Sequence, residues 1–388
     1  MGWCDGFAFA LTEEEQAVRD MVRQFAREEI APRAAELDQQ GTFPSDIIKR
    51  LGGLGILGAL APEPLGGAAL SVVAYALVIE ELAAACASTS IIVSAHNSLC
   101  LWPILEFGNP LQWERFARPL AMGQQLGCFA LSEPGTGSDA AALTCQYRRS
   151  GDSFIVSGTK NWITNAPDAG CCVLLATADT AAGYKGVSAF VHDMTLPGIT
   201  VGKHEEKLGI RASSTASIQY DDVELTSENL LGGEGRGFSI AMHTLNGGRI
   251  GVASQAIGIA RAALADALAY GKERRTFGKA IVEHQSIQNY LADMITQIDA
   301  ARYLTLGAAR RKDAGQPYAR EAAQAKLFAS QAAMQCADKG IQIHGGYGYV
   351  RDYPAERHLR DAKITEIYEG TSEIQRMVIA SHLIKEGM

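Results

Sequence analysis

The chain reads as an α+β protein built in three blocks, helical, then all-β, then helical again. Three observations carry that reading. Apolar residues recur at helical spacing over residues 1–122, short β-rich runs between turn signals fill 123–232, and long Ala-rich helical segments occupy 233–388. The 388 residues suffice for about two or three domains of ~150 residues each, and no repeat period is visible.

Each block has its own signals. Thr12 and Glu15 are spaced as a capping box, and Val18, Met21, Val22 and Phe25 follow at helical spacing until Pro32. The pattern resumes at Ile47, Ile48, Leu51 and Leu54, and an Ala-rich segment from Val72 to Ala87 carries it on to about Met122. The uncharged stretch from Leu82 to Leu105 is long enough to raise a membrane span, but Ser88, Thr89, Ser90, Ser94, His96, Asn97 and Pro103 interrupt it, so a buried helix pair is expected. In the middle block, Thr144 to Arg149 and Ser153 to Ser157 flank the hairpin turn signal Ser150-Gly151-Asp152. Val173 to Ala176, Val187 to His192 and Ile218 to Val223 read as further strands. The last block predicts helices from Phe238 to about 270, then over 283–314, 318–343 and 372–385.

Composition narrows the function. With 47% hydrophobic and 20% charged residues the chain is that of an ordinary globular protein. Its 35 Lys+Arg against 43 Asp+Glu give a net charge of -8, which argues against nucleic acid or an anionic membrane as partner. Eight cysteines without a Cys-x-x-Cys spacing match neither a disulfide framework nor a zinc site, and no metal is expected. The N-terminus shows no signal-peptide or transit-peptide pattern, so the expected location is a bacterial cytoplasm, or the mitochondrial matrix if a presequence has been removed. There is no P-loop, no His-Glu-x-x-His, no Gly-x-Ser-x-Gly and no Gly-x-Gly-x-x-Gly, so any nucleotide cofactor is held without a Rossmann turn.

Five segments stand out, each with a plain structural explanation beside the functional one. Leu131-Ser132-Glu133-Pro134-Gly135-Thr136-Gly137-Ser138-Asp139 is either a Pro-Gly turn or a loop whose small residues let backbone N–H groups approach a cofactor. Asn161-Trp162-Ile163-Thr164-Asn165 holds a tryptophan that is either core or a flat partner for a flat ring. Arg274-Arg275-Thr276-Phe277-Gly278, with His284-Gln285 beyond it, either complements a helix dipole or faces an anion. Gln342-Ile343-His344-Gly345-Gly346 is explained by a helix C-cap without any ligand. Glu369-Gly370-Thr371-Ser372 carries a carboxylate into a turn, and Ser372 with Gln375 is spaced as a capping box for the last helix.

Together these segments resemble the acyl-CoA dehydrogenase family, over about Leu11 to Leu383 and in the same block order. The most specific matches are Ala130 to Asp139, Trp162 to Asn165, Arg274 to Gly278 and Ile364 to Arg376, and the chain looks most like the short-chain (butyryl-CoA) members. The resemblance implies an N-terminal helical domain, a middle β-barrel and a C-terminal four-helix bundle. It implies FAD as cofactor, with Phe129, Ala130, Leu131, Ser132, Gly137 and Ser138 along one side of the flavin, Trp162, Ile163 and Thr164 on the other, and Thr371, Ser372 and Glu373 beside it. Arg274, Phe277, Gln285, Gln342, Ile343, His344, Gly345 and Gly346 match positions that hold the dinucleotide partly from a neighbouring subunit, so a homotetramer, a dimer of dimers, is implied. Ser138, Asn246, Gly247, Gly248, Arg249 and Gly370 match substrate contacts, and Gln255 and Thr365 match the positions that close a short acyl pocket.

Glu369 matches the catalytic base. The α-hydrogen of a thioester is weakly acidic, so a placed carboxylate removes it while the β-hydrogen leaves as hydride to the flavin. Burial raises the pKa of such a group and a nearby helix N-terminus lowers it, and the sequence leaves the balance open. Members of the isovaleryl type carry the base where this chain has Gly248, and glutaryl-type members carry an arginine where it has Ser90. His96 stands where Asn is expected, either lining the pocket or buried and satisfied. The implied activity is α,β-dehydrogenation of a short acyl-CoA, with electrons passing to an electron-transferring flavoprotein. The alternatives are a short branched-chain (isobutyryl or 2-methylbutyryl) dehydrogenase, an acyl-CoA oxidase, and a silent thioester-binding scaffold.

Overall fold

The computed structural model describes residues 10–386. The first block holds α1 (Glu13–Phe25), α2 (Ala34–Gln40), α3 (Ser45–Gly53), α4 (Val72–Ala85), α5 (Ala87–Ser94), α6 (Trp102–Phe107) and the short α7 (Pro110–Gln112) and α8 (Arg118–Ala121). The expected capping box is formed: Glu15 N–H donates to Thr12 Oγ1 at 3.2 Å and Thr12 N–H donates to Glu15 Oε2 at 2.9 Å. Helix α4 is apolar on almost every side and is buried from Val73 to Ala83, as a central helix must be.

Its main partner is α9 (Gly237–Glu273), which is long and apolar enough to cross a membrane yet lies mostly inside the protein. Small residues make that contact possible, since a Cβ on Gly258 would overlap the Glu80 carbonyl. Glu80 also receives Arg302 Nη2 at 2.5 Å and Arg261 Nη1 at 2.6 Å, which ties α4 to α9 and α10 (Gln285–Asp313). Burial alone raises the Glu80 pKa, but the two guanidinium groups outweigh it and bring it to about 2.

The middle block contains β1 (Gly127–Ala130), β2 (Gln146–Ser150), β3 (Ser153–Thr164), β4 (Cys171–Thr177), β5 (Val187–Asp193), β6 (Ile199–Val201), β7 (Thr215–Thr226) and β8 (Leu230–Leu231). They form one mixed sheet in the order β6-β7-β3-β2-β4-β5-β8, with β1 added in parallel to β4. Cys128, Tyr147, Phe154, Cys172, Phe190 and Tyr220 from six of these strands share one interior, so the sheet curls as a barrel does. The ladder runs from β6 to β8 and is not closed by a pairing between them. The seven described cysteines are free and buried.

In the last block α9 and α10 are joined through a hairpin of β9 (Arg275–Thr276) and β10 (Lys279–Ala280), and α11 (Ala319–His344), α12 (Ala355–Thr365) and α13 (Ser372–Glu386) complete it. The expected four long helices are there, and α12 is an addition that the sequence reading missed. It is rich in charge, with an apolar stripe as narrow as Leu359, Ala362 and Ile364, and its face is held by Arg360 bonds to Glu356 at 2.5 Å and Asp38 at 2.6 Å. The three blocks meet around α5, β1, α9 and the turn between α12 and α13, and the cavity described next opens there.

Candidate active site

A cavity of about 600 Å³ is lined by Ile91, Ala95 and Leu99 from the first block, by Phe129, Leu131 and Trp162 from the sheet, and by Met242, Arg249, Tyr368 and Glu369 from the last. Its walls are largely apolar. Gly137, Ser138, Ile163, Thr164, Gly370 and Thr371 line it as well.

The loop after β1 is a tight turn and a cavity wall at once. Glu133 N–H donates to Thr136 O at 2.9 Å and Thr136 N–H donates back at 3.1 Å, which closes the Pro-Gly turn. Beneath it Lys160, fully buried, donates from Nζ to Glu133 Oε1 at 2.7 Å and to Leu131 O at 3.0 Å. Burial raises the Glu133 pKa, but the Lys160 charge and the Thr144 bonds outweigh it and leave it lowered. Ser132 lines the cavity, and Asn161 N–H donates to its carbonyl at 2.9 Å, which ties the loop to β3.

Trp162 is no core residue. Between the pairs Lys160↔Ile218 and Ile163↔Ala216, β3 carries one residue more than β7, a bulge in which Trp162 takes φ 56°. Its indole is left 55% exposed at the cavity mouth. Such a backbone costs energy in a bulky residue and persists where surrounding structure enforces it.

Glu369 also has a positive φ, 53°, and both its carboxylate oxygens are buried with no partner among the described residues. Burial pushes its pKa up, against the charges of Lys326 and Arg249, to about 7. The α-carbon of Gly248 faces it, and a Cβ there would overlap Glu369 Oε2. Arg249 Nη1 donates to Asn246 Oδ1 at 2.6 Å. Asn246 opens on a second cavity of about 610 Å³ bordered by Trp102, His243, Arg311, Lys312, Tyr318 and Arg320. Gly247 brings α9 close to Lys312, whose Nζ lies 2.9 Å from a Cβ placed there. Burial lowers the Lys312 pKa to about 8, and its Nζ sits 4.4 Å from the Trp102 ring.

Several expected positions fall elsewhere. Ala130 alternates away from the cavity and packs in the sheet interior, while Phe129 and Leu131 face outward. Gln255 and Thr365 do not form the floor. Gln255 is fully buried one layer behind, with Nε2 donating to Ala87 O at 3.0 Å and its Oε1 accepting from the hydroxyl of Tyr368, which is the residue on the wall. Thr365 turns its hydroxyl back onto Ala362 O at 2.7 Å. The cap of α13 is Thr371, whose Oγ1 accepts from Ile374 N–H at 3.3 Å; Ser372 is already inside the helix and does not cap it. Ser372 and Glu373 stand off the cavity, Glu373 facing Arg376 at 3.7 Å.

Arg274, Phe277, Gln285, Gln342, Gly345 and Gly346 are exposed and line neither cavity. Ile343 and His344 are buried, His344 stacking on Tyr270 at 4.4 Å, so their side chains face inward. His96 is buried and satisfied: Nε2 donates to Leu57 O at 2.9 Å, Nδ1 accepts from Gly127 N–H at 3.0 Å, and burial lowers its pKa to about 4. Ser90 bonds the Ala87 carbonyl and offers no charge.

The sequence reading missed Glu133, Lys160, Lys312 and Lys326 as parts of the site. Two of them had a signal: Lys160 falls on the inward alternation of Phe154 and Val156, and Lys326 sits in the apolar stripe Ala322, Ala325 and Ala329.

The site is a buried, unpartnered carboxylate in a largely apolar cavity between two helical blocks and a curled sheet, a setting suited to proton transfer at an apolar substrate. Models of the acyl-CoA dehydrogenase N-terminal, middle and C-terminal domains match residues 12–124, 128–223 and 235–384. The short-chain specific acyl-CoA dehydrogenase of Mus musculus mitochondria is 51% identical over 375 residues, 97% of this chain and 91% of the relative. Butyryl-CoA dehydrogenase from Megasphaera elsdenii superimposes with a TM-score of 0.95 at 44% identity, covering 97% of this chain and 99% of that one. A chain solved in work on the electron transferring flavoprotein of Acidaminococcus fermentans gives a TM-score of 0.96 at 45% identity, covering 97% and 99%. The chain belongs to the acyl-CoA dehydrogenase family, and it is an oxidoreductase.

Proposed function

We propose that the protein dehydrogenates short straight-chain acyl-CoA thioesters, with Glu369 as the base. One observation carries this: an unpartnered, buried carboxylate with a pKa raised to about 7 points into an apolar cavity. A base of that strength is part ionised at neutral pH and still holds the proton it takes.

The residues present fit FAD. Trp162, 55% exposed, lines the cavity together with Ser132, Gly137 and Ser138 of the loop and with Thr371 at the N-terminus of α13. When bound, FAD supplies the acceptor for the β-hydrogen, which leaves as hydride. Glu369 takes the α-proton at its carboxylate, and Gly248 leaves room for that carboxylate against α9. The Glu369 N–H makes no hydrogen bond among the described residues, which leaves it free to donate to the thioester oxygen as enolate charge develops. Leu99, Met242, Leu245 and Tyr368 exclude water around the acyl chain. Arg249, through Asn246, leads to the second cavity, whose Arg311, Lys312 and Arg320 offer cations to the phosphates of CoA.

The relatives extend the reading to partners. Electrons then pass to an electron-transferring flavoprotein, and the exposed Arg274, Phe277, Gln342, Gly345 and Gly346 complete a dinucleotide site on a neighbouring copy within a homotetramer. The test is an anaerobic titration of the flavin-loaded protein with butyryl-, isobutyryl- and octanoyl-CoA. Bleaching of the flavin first and fastest by butyryl-CoA supports the reading; no bleaching by any thioester overturns it.

A further inference from the structure

Helix α11 buries one cation. Lys326 lies in the stripe Ala322, Ala325 and Ala329 and is 0% exposed. An ammonium out of water is retained only where something nearby compensates it. Its Nζ donates to the carbonyl of Gly370 at 2.7 Å, one residue past Glu369.

That carbonyl sits in an unusual turn. Glu369 and Gly370 both have positive φ, 53° and 91°, so a non-glycine residue is held in a left-handed conformation immediately beside a glycine in the same region. Two side chains brace the turn: Lys326 from α11, and Gln375 of α13, whose Nε2 donates to Gly370 O at 2.8 Å and Glu369 O at 3.3 Å. Only the first of these carries charge.

Resting on the reading of Glu369 as the base, we propose that Lys326 is its positioning residue: it clamps the 369–370 turn through the Gly370 carbonyl and sets the proton affinity of the carboxylate with the positive charge of its ammonium. The surroundings leave few rivals for that role. From α9 comes Arg249, already bonded to Asn246, and from α4 the neutral phenol of Tyr75, bonded to Ser98 at 3.0 Å. On the segment of Glu369 itself, Tyr368 is neutral and bonded to Gln255, Glu366 pairs with Lys363 at 2.7 Å, and Glu373 faces Arg376. Among the opposing charges, that of Lys326 lowers the Glu369 pKa more than that of Arg249 does.

The experiment uses the flavin-loaded enzyme and the variants Lys326→Met, Lys326→Arg, Lys326→Gln and Glu369→Gln. Two quantities are read: the acid limb of kcat for butyryl-CoA, and the protonated-carboxyl band in infrared spectra taken against pH, assigned to Glu369 by its loss in Glu369→Gln. In Lys326→Met both should move upward by roughly one pH unit, and kcat at neutral pH should fall at least ~10-fold with KM little changed. Lys326→Arg should return the limb toward that of the wild type. Should the Met variant not fold, Lys326→Gln, which keeps a donor and drops the charge, should show the same upward shift. A band that titrates as in the wild type in either uncharged variant, with Glu369→Gln inactive, overturns this proposal alone. An active Glu369→Gln overturns the base assignment beneath it.

Discussion

The α-carbon of Gly248 and the carboxylate of Glu369 face each other so closely that a single methyl group on the former would overlap Oε2 of the latter. The two residues are 121 positions apart in sequence, on α9 and on the turn before α13. One makes room for the other. Gly248 lies in mid-helix with ordinary helical backbone, so replacing it by alanine strains nothing locally and should favour the helix. The cost falls mainly on the carboxylate, which must swing aside, and in smaller part on the Leu99 side chain, which must shift. Gly248→Ala is therefore expected to fold and to bind flavin, while turnover of butyryl-CoA drops by about 10²-fold, the penalty of a displaced reacting group. Turnover within twofold of the wild type would show that Glu369 has another working position.

Replacing Glu369 by glutamine keeps the shape and removes the base. Turnover should fall by roughly 10²- to 10⁴-fold while acyl-CoA still binds. In the wild type the rate should decline as pH drops through about 7, because the protonated carboxyl cannot accept the α-proton. The same shift has a stability consequence of defined sign. Between the ordinary value of 4.5 and about 7, the folded protein holds a proton that the unfolded chain has released, so stability falls as pH rises through that window. Glu369→Gln is free of this, and should gain on the order of 3 kcal/mol over the wild type between pH 5 and pH 8. Unfolding curves at the two pH values check the sign.

Lys160 and Glu133 form an ion pair in which the side chains are 0% and 1% exposed. Lys160→Met leaves the Glu133 carboxylate buried without its cation, at a cost of roughly 3–5 kcal/mol. Since the pair also pins the loop bearing Ser132 and Ser138, flavin should be lost as well. Adding Glu133→Gln should recover much of the stability, and urea unfolding of the single and double variants measures the difference. Equal stability of Lys160→Met and the wild type would remove the pair from the account.

Phe277 is 96% exposed at the tip of the β9–β10 hairpin, beside the exposed Arg274. In the assembly proposed above, a neighbouring copy covers this surface. Arg274→Ala should weaken FAD retention, because a guanidinium on a pyrophosphate makes charge-assisted bonds that nothing nearby replaces. Dilution should release flavin and subunits together. Gel filtration with absorbance at the flavin band tests both, and a stable flavin-loaded monomer would refute the shared site.

The block order, the long helices and the strands were legible because their signals are local. The Thr12 and Glu15 capping box, the Ser150 to Asp152 turn and the Ala-rich runs each announce themselves within a few residues. Helix α12 was not, since Arg360 finds a partner at Asp38, more than 300 positions away. At the site, Glu369 and Trp162 were found through the resemblance of whole segments, but their positive φ values depend on a bulge and a turn that only the pairing with β7 and the bonds from Lys326 and Gln375 reveal. The roles of Gln255 and Thr365 were misplaced for a related reason. Helical spacing says which face a side chain is on, but not how many layers lie between it and a cavity.

That correction changes how acyl length should be tested. The wall residue is Tyr368, and its ring is fixed because its hydroxyl donates to Gln255, which is itself tied to Ala87. This pinned phenol shares the cavity wall with Ile91 and Ile364, and it is expected to limit the room for a longer acyl chain. Each methylene that fits an apolar pocket is worth about 1–3 kcal/mol, so a closed wall should favour butyryl- over octanoyl-CoA by at least ~10-fold in kcat/KM. Gln255→Ala removes the acceptor and opens space behind the ring, which lets Tyr368 withdraw. The ratio of octanoyl to butyryl turnover should then rise at least ~10-fold, with some loss of stability from the void. Thr365→Ala alone should change the ratio little, since its hydroxyl is spent on Ala362. Measured kcat/KM for C4, C6, C8 and isobutyryl thioesters decides the matter: a wild type already faster on octanoyl- or isobutyryl-CoA would remove the short straight-chain assignment and leave the dehydrogenase standing.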